Sequence, residues 1–587
     1  MSVPVRTRAA CRPPLSRHRW PLSVLTVAAL AGCGGADGET TLPRLSAAQP
    51  ATFSGSCETL AERLGTLADT TISAVTTVAA GTAVSGVTSP EHCRLTGEMY
   101  RRTSAVDGKS YAIGFELRLP KAWNGRYYYQ GNGGIDGSVL AAAGALGGGP
   151  LTGALAQGFA VMSSDAGHSN ATVGGPAFGI DPQARLDYGY QAEAKLLPLA
   201  RTVIRTAYGK LPDRSYYGGC SNGGRHALVA AARYGDQYDG YLAGAPGYNL
   251  PKSAVANIAG AQLYRSISDD PGSLTAANLA TAWTAAERAL VSSAVLARCD
   301  ALDGVADGLV QDTTACQAAF NLATDVPTCS GSRDGSCLST AQKSVLAQIF
   351  AGPRTTAGAL IYAPFPWDAG HGASGVASWE FTAPLERDSG AVGLIFKVPP
   401  LAGSSSATDL ASWALTASVD EMVAQITATN ATYTESAMAF MTPPNPTKLD
   451  AVRARGAKVL VYHGVSDAIF SVSDTQAWYD GLRANHGGDA SDFARFYRVP
   501  GMGHCSGGPS TDQFDLLSPL VAWVEQGRAP EAVVATARGA GNAGGVVNTE
   551  LPAGWSANRS RPLCPYPQVA RYSGSGDVES AASFSCR

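Results

Sequence analysis

Gly218-Gly219-Cys220-Ser221-Asn222-Gly223-Gly224-Arg225 sets a serine between glycines where a strand-like run ends and a helix-like run begins. Before it, residues 214–217 read as a short buried strand; after it, residues 225–233 combine helix formers with apolar spacing. A chain that passes from strand to helix over so few residues must turn tightly. Side chains at 219 and 223 would collide with the two elements, so glycine is needed there, and the serine between them is held in a strained backbone with its hydroxyl thrust outward. This is the form of a nucleophile elbow. Because G-x-S-x-G also recurs by chance, the flanking strand and helix carry the weight of the reading.

The alternation continues on both sides of the elbow. Residues 112–119 alternate with period two, 126–130 are aromatic and β-prone, 158–162 read as a buried strand, 187–207 as a helix, and 240–246 as a further strand. Strands alternating with helices predict an α/β fold: a mostly parallel sheet covered on both faces. From about 249 to 446 the rhythm stops and Ala, Thr and Ser dominate; it resumes with strand 457–464, helix 474–484 and strand 493–499. The expected organisation is an α/β-hydrolase sheet in two parts, 51–248 and 447–587, with a large lid domain inserted over 249–446.

A serine hydroxyl needs a histidine to take its proton and a carboxylate to hold the imidazole. In α/β-hydrolases these follow in the order Ser, Asp, His, each in a loop after a late strand. Asp467, in Gly464-Val465-Ser466-Asp467, and His504, in Pro500-Gly501-Met502-Gly503-His504-Cys505, meet that condition. The rival histidines 168, 226, 371, 463 and 486 lie elsewhere and read as core or surface residues. Asp474 is the rival acid, but it reads as the N-cap of a helix. Glycines after strand 126–130 offer backbone N–H groups at Gly133 and Gly134, which with that of Asn222 would form an oxyanion hole; a flexible glycine turn is the alternative.

Composition bounds the rest. Charged residues make up 16% of the 587 and apolar ones 45%, with 67 glycines, so the chain is globular with ample core. Residues 1–32 carry five arginines, no acid and an apolar run too short to span a membrane, which reads as a signal peptide. It ends in Leu30-Ala31-Gly32-Cys33, similar to the lipobox whose cysteine is acylated in bacterial lipoproteins; an ordinary secretory signal is the alternative. Residues 33–50 would be a tether. Setting the leader arginines aside takes the net charge from −3 to about −8, so no basic stripe recommends nucleic acid as a partner. A membrane is expected to be touched only through a lipid on Cys33, with the chain exported to the periplasm, to the outer membrane or outside the cell.

Of twelve cysteines, Cys11 lies in the leader and Cys33 at its end, leaving an even ten, as in disulfide-bonded exported proteins. Pairing is not fixed by sequence. Short separations favour Cys299 with Cys316, Cys329 with Cys337 and Cys564 with Cys586, with Cys57 and Cys93 a natural pair near the start. Cys220, before the serine, and Cys505, after the histidine, remain; a bond between them would strap nucleophile to base. Within the insert, Asp300, Asp303 and Asp307 share a loop kept tight by Gly304 and Gly308. Such hard oxygen donors, with the carbonyls of Val305 and Leu309, suit calcium; an Asp-Gly turn is the alternative.

Taken together, Gly219-Cys220-Ser221-Asn222-Gly223-Gly224-Arg225, Gly464-Val465-Ser466-Asp467 and Gly503-His504-Cys505 resemble the tannase and feruloyl esterase family of α/β-hydrolases, from about 57 to 586. The resemblance implies a calcium-binding lid, matched by the Asp300, Asp303, Asp307 loop, and a five-disulfide pattern that includes the active-site pair. It implies hydrolysis of aromatic esters of feruloyl, galloyl or mono(2-hydroxyethyl) terephthalate type through an acyl-enzyme. The carboxyl-terminal third looks most like members acting on terephthalate monoesters: Phe470 matches an aromatic that packs on the ring and Trp379 a lid tryptophan facing the substrate. Those members grip the free carboxylate with a lid arginine, for which Arg387, displaced by several positions, is the candidate. Serine acyltransfer, peptide hydrolysis, or a silent aromatic-binding lipoprotein are the competing functions.

Overall fold

Residues Tyr127, Tyr128 and Tyr129 are all buried, although consecutive side chains on a strand point to opposite faces. Tyr127 and Tyr129 pack with Leu196, Val203 and Leu228 on one side of the sheet; Tyr128 packs with Tyr216, Leu460 and Trp523 on the other. A strand apolar on both faces belongs to the interior of a parallel sheet with helices on either side, and it sits there in the computed structural model of the chain. Residues 42–145, 153–403, 406–542, 544 and 546–587 are described. The expected leader, Cys33 and the start of the tether lie outside them.

The sheet has nine strands. In chain order they are β1 (Thr70–Val78), β2 (His92–Thr103), β3 (Ser110–Pro120), β4 (Arg126–Gly131), β5 (Ala160–Ser164), β6 (Arg214–Cys220), β7 (Gly240–Gly244), β8 (Lys458–Gly464) and β9 (Ala494–Val499). Their spatial order is β9-β8-β7-β6-β4-β5-β3-β2-β1. From β9 to β5 neighbours run parallel, and β3, β2 and β1 extend the sheet antiparallel. Helices α1 (Ala192–Tyr208), α2 (Asn222–Arg233) and α4 (Val472–Asn485) cover one face, and α5 (Leu517–Gln526) the other. Between β7 and β8 no described residue contributes a strand to the sheet; the segment begins with α3 (Leu250–Arg265) and packs into an apolar cluster around Val255, Trp283, Val295 and Phe350 that also takes in Phe178, Tyr188 and Phe470.

Two details differ from expectation. The N-cap of α4 is Ser471, whose hydroxyl accepts from the Ser473 N–H; Asp474 lies inside the first turn, takes a hydrogen bond from Asn249 and is pushed up to about 6 by burial. The expected tether through residue 50 is corrected for its second half: Arg44 donates to the Gln526 carbonyl, and the Ala48 and Gln49 N–H groups donate to Glu525 and Asp213, fixing this stretch to the body. The ten cysteines pair as 57–93, 220–505, 299–316, 329–337 and 564–586.

Register decides where the elbow lies. Gly131 at the end of β4 pairs with Gly219, and Cys220 pairs with Gly244. A Cβ on Gly219 or on Gly223 would stand 2.3 Å from the Gly131 carbonyl oxygen, backbone that cannot give way. Gly223→Ala should therefore destabilise the fold by about 3 kcal/mol, whereas Gly260→Ala, whose Cβ meets only Ile349 at 3.9 Å, should be neutral or stabilising. Urea unfolding of the two variants checks this; equal stabilities would contradict the steric account.

Candidate active site

Ser221 joins β6 to α2 at φ 65°, ψ −127°, a conformation L-residues rarely adopt. Its Oγ lies 2.8 Å from His504 Nε2, and His504 Nδ1 lies 2.7 Å from Asp467 Oδ2. An anionic carboxylate accepts only, so Nδ1 carries the proton and Nε2 is left to accept from the serine hydroxyl. The other Asp467 oxygen accepts from the N–H groups of Ile469 and Phe470, both at 3.0 Å. Complete burial works against the charge of Asp467, but His504 and His463 outweigh it and hold the carboxyl well below its ordinary range. The side chains expected at the ends of late strands thus form one hydrogen-bonded row.

Sequence reasoning missed two supports of that row. His463, read there as a core or surface residue, is fully buried, and its Nε2 donates toward Asp467 Oδ2 at 3.2 Å and the Phe470 carbonyl at 2.9 Å, while Nδ1 meets Thr475 Oγ1 at 2.9 Å. Its place four residues before the acid, at the end of β8, was the available signal. Asp368, from the inserted segment, accepts on one oxygen from the Ser466 hydroxyl and from the N–H groups of Gly370 and Gly501. It thereby ties the loop carrying Asp467 to the loop carrying His504, across a separation no motif reveals. The other rival histidines lie elsewhere: 168, 371 and 486 bond to the carbonyls of Ile135, Pro366 and Lys448, and His226 is buried beneath the elbow.

The Cys220–Cys505 disulfide joins the residue before Ser221 to the residue after His504. Gly133 sits against the elbow, where an added Cβ would be 3.8 Å from Ser221 Cβ, and Asn222 is the first residue of α2, whose opening N–H groups have no carbonyl one turn back. A small pocket opens over Ser221, Asn222 and Gly134 and is closed by Leu250, Arg387 and Phe470. The Phe470 and Trp379 rings meet the His504 ring edge-on at 5.3 and 4.6 Å, and Arg387 lies over Trp379 at 4.4 Å. All three residues expected to contact substrate are therefore brought to the triad.

In the acidic loop, Asp300 accepts from the N–H groups of Asp307 and Gly308, and Asp303 from that of Val305. Asp307 Oδ1 accepts from the Leu309 N–H, and its Oδ2 is paired with Arg559 and Arg561. The second oxygen of Asp303 is buried without a partner. Among the described residues no group of three or more His, Cys, Asp or Glu side chains closes on a common point. An unpartnered carboxylate oxygen beside Asp300 nevertheless fits a hard, oxygen-seeking cation.

A sequence model of the family described as "Tannase and feruloyl esterase" matches residues 93–587. The chain belongs to this family. It is 40% identical over 541 residues to the mono(2-hydroxyethyl) terephthalate hydrolase of Piscinibacter sakaiensis, covering 86% of this chain and 87% of that one. A probable feruloyl esterase B-1 of Neosartorya fischeri is 26% identical over 537 residues, covering 87% and 89%. The crystal structure of feruloyl esterase B from Aspergillus oryzae superposes with a TM-score of 0.70 at 23% identity, over 90% of this chain and 99% of that one, and so shares the fold. As a member of the tannase and feruloyl esterase family the chain is a carboxylic ester hydrolase, and its five disulfides suit an oxidising compartment outside the cytoplasm.

Replacing Cys220 and Cys505 together by serine should lower stability by about 2–5 kcal/mol and lower kcat as well, because the His504 loop loses its covalent tie to the elbow. Guanidinium unfolding and steady-state kinetics on the double variant check both; an unchanged kcat would show that the strap holds the fold but not the reacting groups.

Proposed function

We propose that the chain hydrolyses esters of aromatic carboxylic acids, with Ser221 as nucleophile, His504 as general base and acid, and Asp467 as the group that orients His504. The observation that carries this is the unbroken row from Ser221 Oγ through His504 to Asp467, at 2.8 and 2.7 Å, with the Phe470 and Trp379 rings against His504. As Oγ bonds to the ester carbonyl carbon, its proton passes to Nε2. The carbonyl oxygen becomes an oxyanion received by backbone N–H groups at Gly133, Gly134 and Asn222, each donor worth about 3 kcal/mol in comparable sites. The C–O bond to the alcohol then breaks, and Nε2 returns the proton to the leaving oxygen, giving an acyl-enzyme. Water, deprotonated by the same nitrogen, repeats the sequence and frees the acid.

The acyl group is an aromatic ring, held between Phe470 and Trp379, that bears a second, free carboxylate. Arg387 supports this: it lines the pocket and lies over Trp379, and it forms no ion pair among the described residues. A terephthalate monoester has this shape, in keeping with the name of the 40% identical relative. Ser221→Ala should abolish hydrolysis, and Arg387→Ala should raise KM at least tenfold for mono(2-hydroxyethyl) terephthalate while changing it little for methyl ferulate or methyl gallate. Equal effects on all three esters would remove the carboxylate from the reading; activity surviving Ser221→Ala would remove the mechanism. Faster turnover on amides, or acyl transfer to added alcohols in preference to water, would recommend peptidase or acyltransferase activity instead.

The loop at Asp300, Asp303 and Asp307, with the carbonyls of Val305 and Leu309, would hold a calcium ion that braces the inserted segment. The free Asp303 oxygen supports this. Chelation with EDTA should then lower the unfolding temperature by several degrees and calcium should restore it; an unmoved transition would dismiss the ion. Acylation at Cys33 rests on Leu30-Ala31-Gly32-Cys33 alone, and mass analysis of the mature amino terminus decides it.

A further inference from the structure

The two halves of the oxyanion hole come from different parts of the chain. Gly133 and Gly134 lie in the loop that leaves β4, and Asn222 opens the helix that follows the elbow. Their N–H groups serve one oxygen only if the separation between these segments is fixed to a fraction of an ångström. Several bonds hold the loop to its surroundings: Tyr188 OH donates to the Gly134 carbonyl, His168 Nε2 to that of Ile135, and Asn170 Nδ2 to that of Asp136. None of these reaches the elbow helix. The Asp136 carboxylate does. One of its oxygens accepts from the Asn222 side-chain amide at 2.8 Å, and the other stands 3.4 Å from His226 Nε2, one turn along the same helix.

The surroundings make this bond selective. Asn222 Oδ1 accepts from Arg225 Nε at 2.6 Å, so the amide is turned with its NH₂ toward Asp136. Arg225 in turn donates to the carbonyls of Tyr188 and Gly189. The side chain of Asp136 is 3% exposed, so water competes little for the bond. Its backbone sits at φ 43°, in the left-handed region that glycine fills without strain. A carboxylate kept in a strained backbone, buried and aimed at the residue after the nucleophile, marks a function beyond filling the turn.

We propose that Asp136 is a positioning residue for the oxyanion hole, clasping Asn222 so that the Gly133–Gly134 backbone and the Asn222 N–H face the same oxygen. The inference rests on Ser221 acting as nucleophile. It touches neither substrate nor reacting atoms, so its loss weakens transition-state binding and leaves ground-state binding nearly intact.

The experiment compares Asp136→Ala, Asn222→Ala and the double variant, with thermal unfolding to establish that each is folded. Asn222→Ala keeps its backbone donor and cuts the clasp from the other side. Each single variant should lower kcat roughly ten- to hundredfold with KM within about twofold, and the double variant should be no slower than the slower single one, because both cut one bond. Asp136→Asn, which keeps an acceptor oxygen, should fall between. Labelling of Ser221 by an alkyl fluorophosphonate, which uses the hole but no particular acyl group, should slow in parallel. Unchanged kcat in both singles, a KM effect without a kcat effect, or factors that multiply in the double variant would overturn the proposal. If the parent enzyme is labelled but cleaves no aromatic ester, the substrate reading fails while the labelling rates still decide Asp136; a parent that is not labelled overturns both.

Discussion

Everything around the reaction centre depends on how closely three stretches of bare backbone approach. The Gly131 carbonyl lies where a Cβ on either Gly219 or Gly223 would come to 2.3 Å, so the end of β4, the end of β6 and the start of α2 meet with no side chain between them. This contact puts Gly133 beside Ser221 and holds the serine at φ 65°. Parallel pairing of β6 with β7, of β7 with β8 and of β8 with β9 then carries the loops of Asp467 and His504 to the same edge of the sheet. Catalytic geometry here is a consequence of strand register, and the register is secured by buried aromatic and β-branched side chains far below the site.

The inserted segment does more than cover the pocket. Asp368 reaches from it to Ser466 and Gly501, so the loops of Asp467 and His504 are held by a carboxylate that belongs to neither half of the sheet. The same segment supplies Trp379 and Arg387, one against the His504 ring and the other against Trp379. The pocket lining and the Ser221–His504–Asp467 row are therefore mechanically connected: a change in how the insert packs is felt at His504 as well as in the pocket.

What could be read from the sequence was what short stretches and strand ends encode. The elbow, Asp467, His504 and the leftover pair Cys220 and Cys505 announce themselves because each sits at a fixed offset from a strand or from one another. Asp368 and Asp136 did not, because their roles are contacts between segments distant in the chain; His463, though close to Asp467 in sequence, did not because a buried histidine has many ordinary uses. Asp474 misled for a related reason: an acid near a helix start suggests a cap, but Ser471 takes that place and Asp474 turns instead to Asn249. Residues 42–50 carried no pattern of burial, since their attachment runs through backbone N–H groups donating to acids elsewhere.

The Cys220–Cys505 bond spans 285 residues of sequence, and the whole insert lies within the ring it closes. A protease that cut an exposed turn of the insert would release nothing. Both fragments would remain one covalent molecule, with the residues that flank Ser221 and His504 still joined, until a reductant arrived. The bond beside Ser221 and His504 is thus also a form of damage tolerance, placed where separation of the halves would matter most.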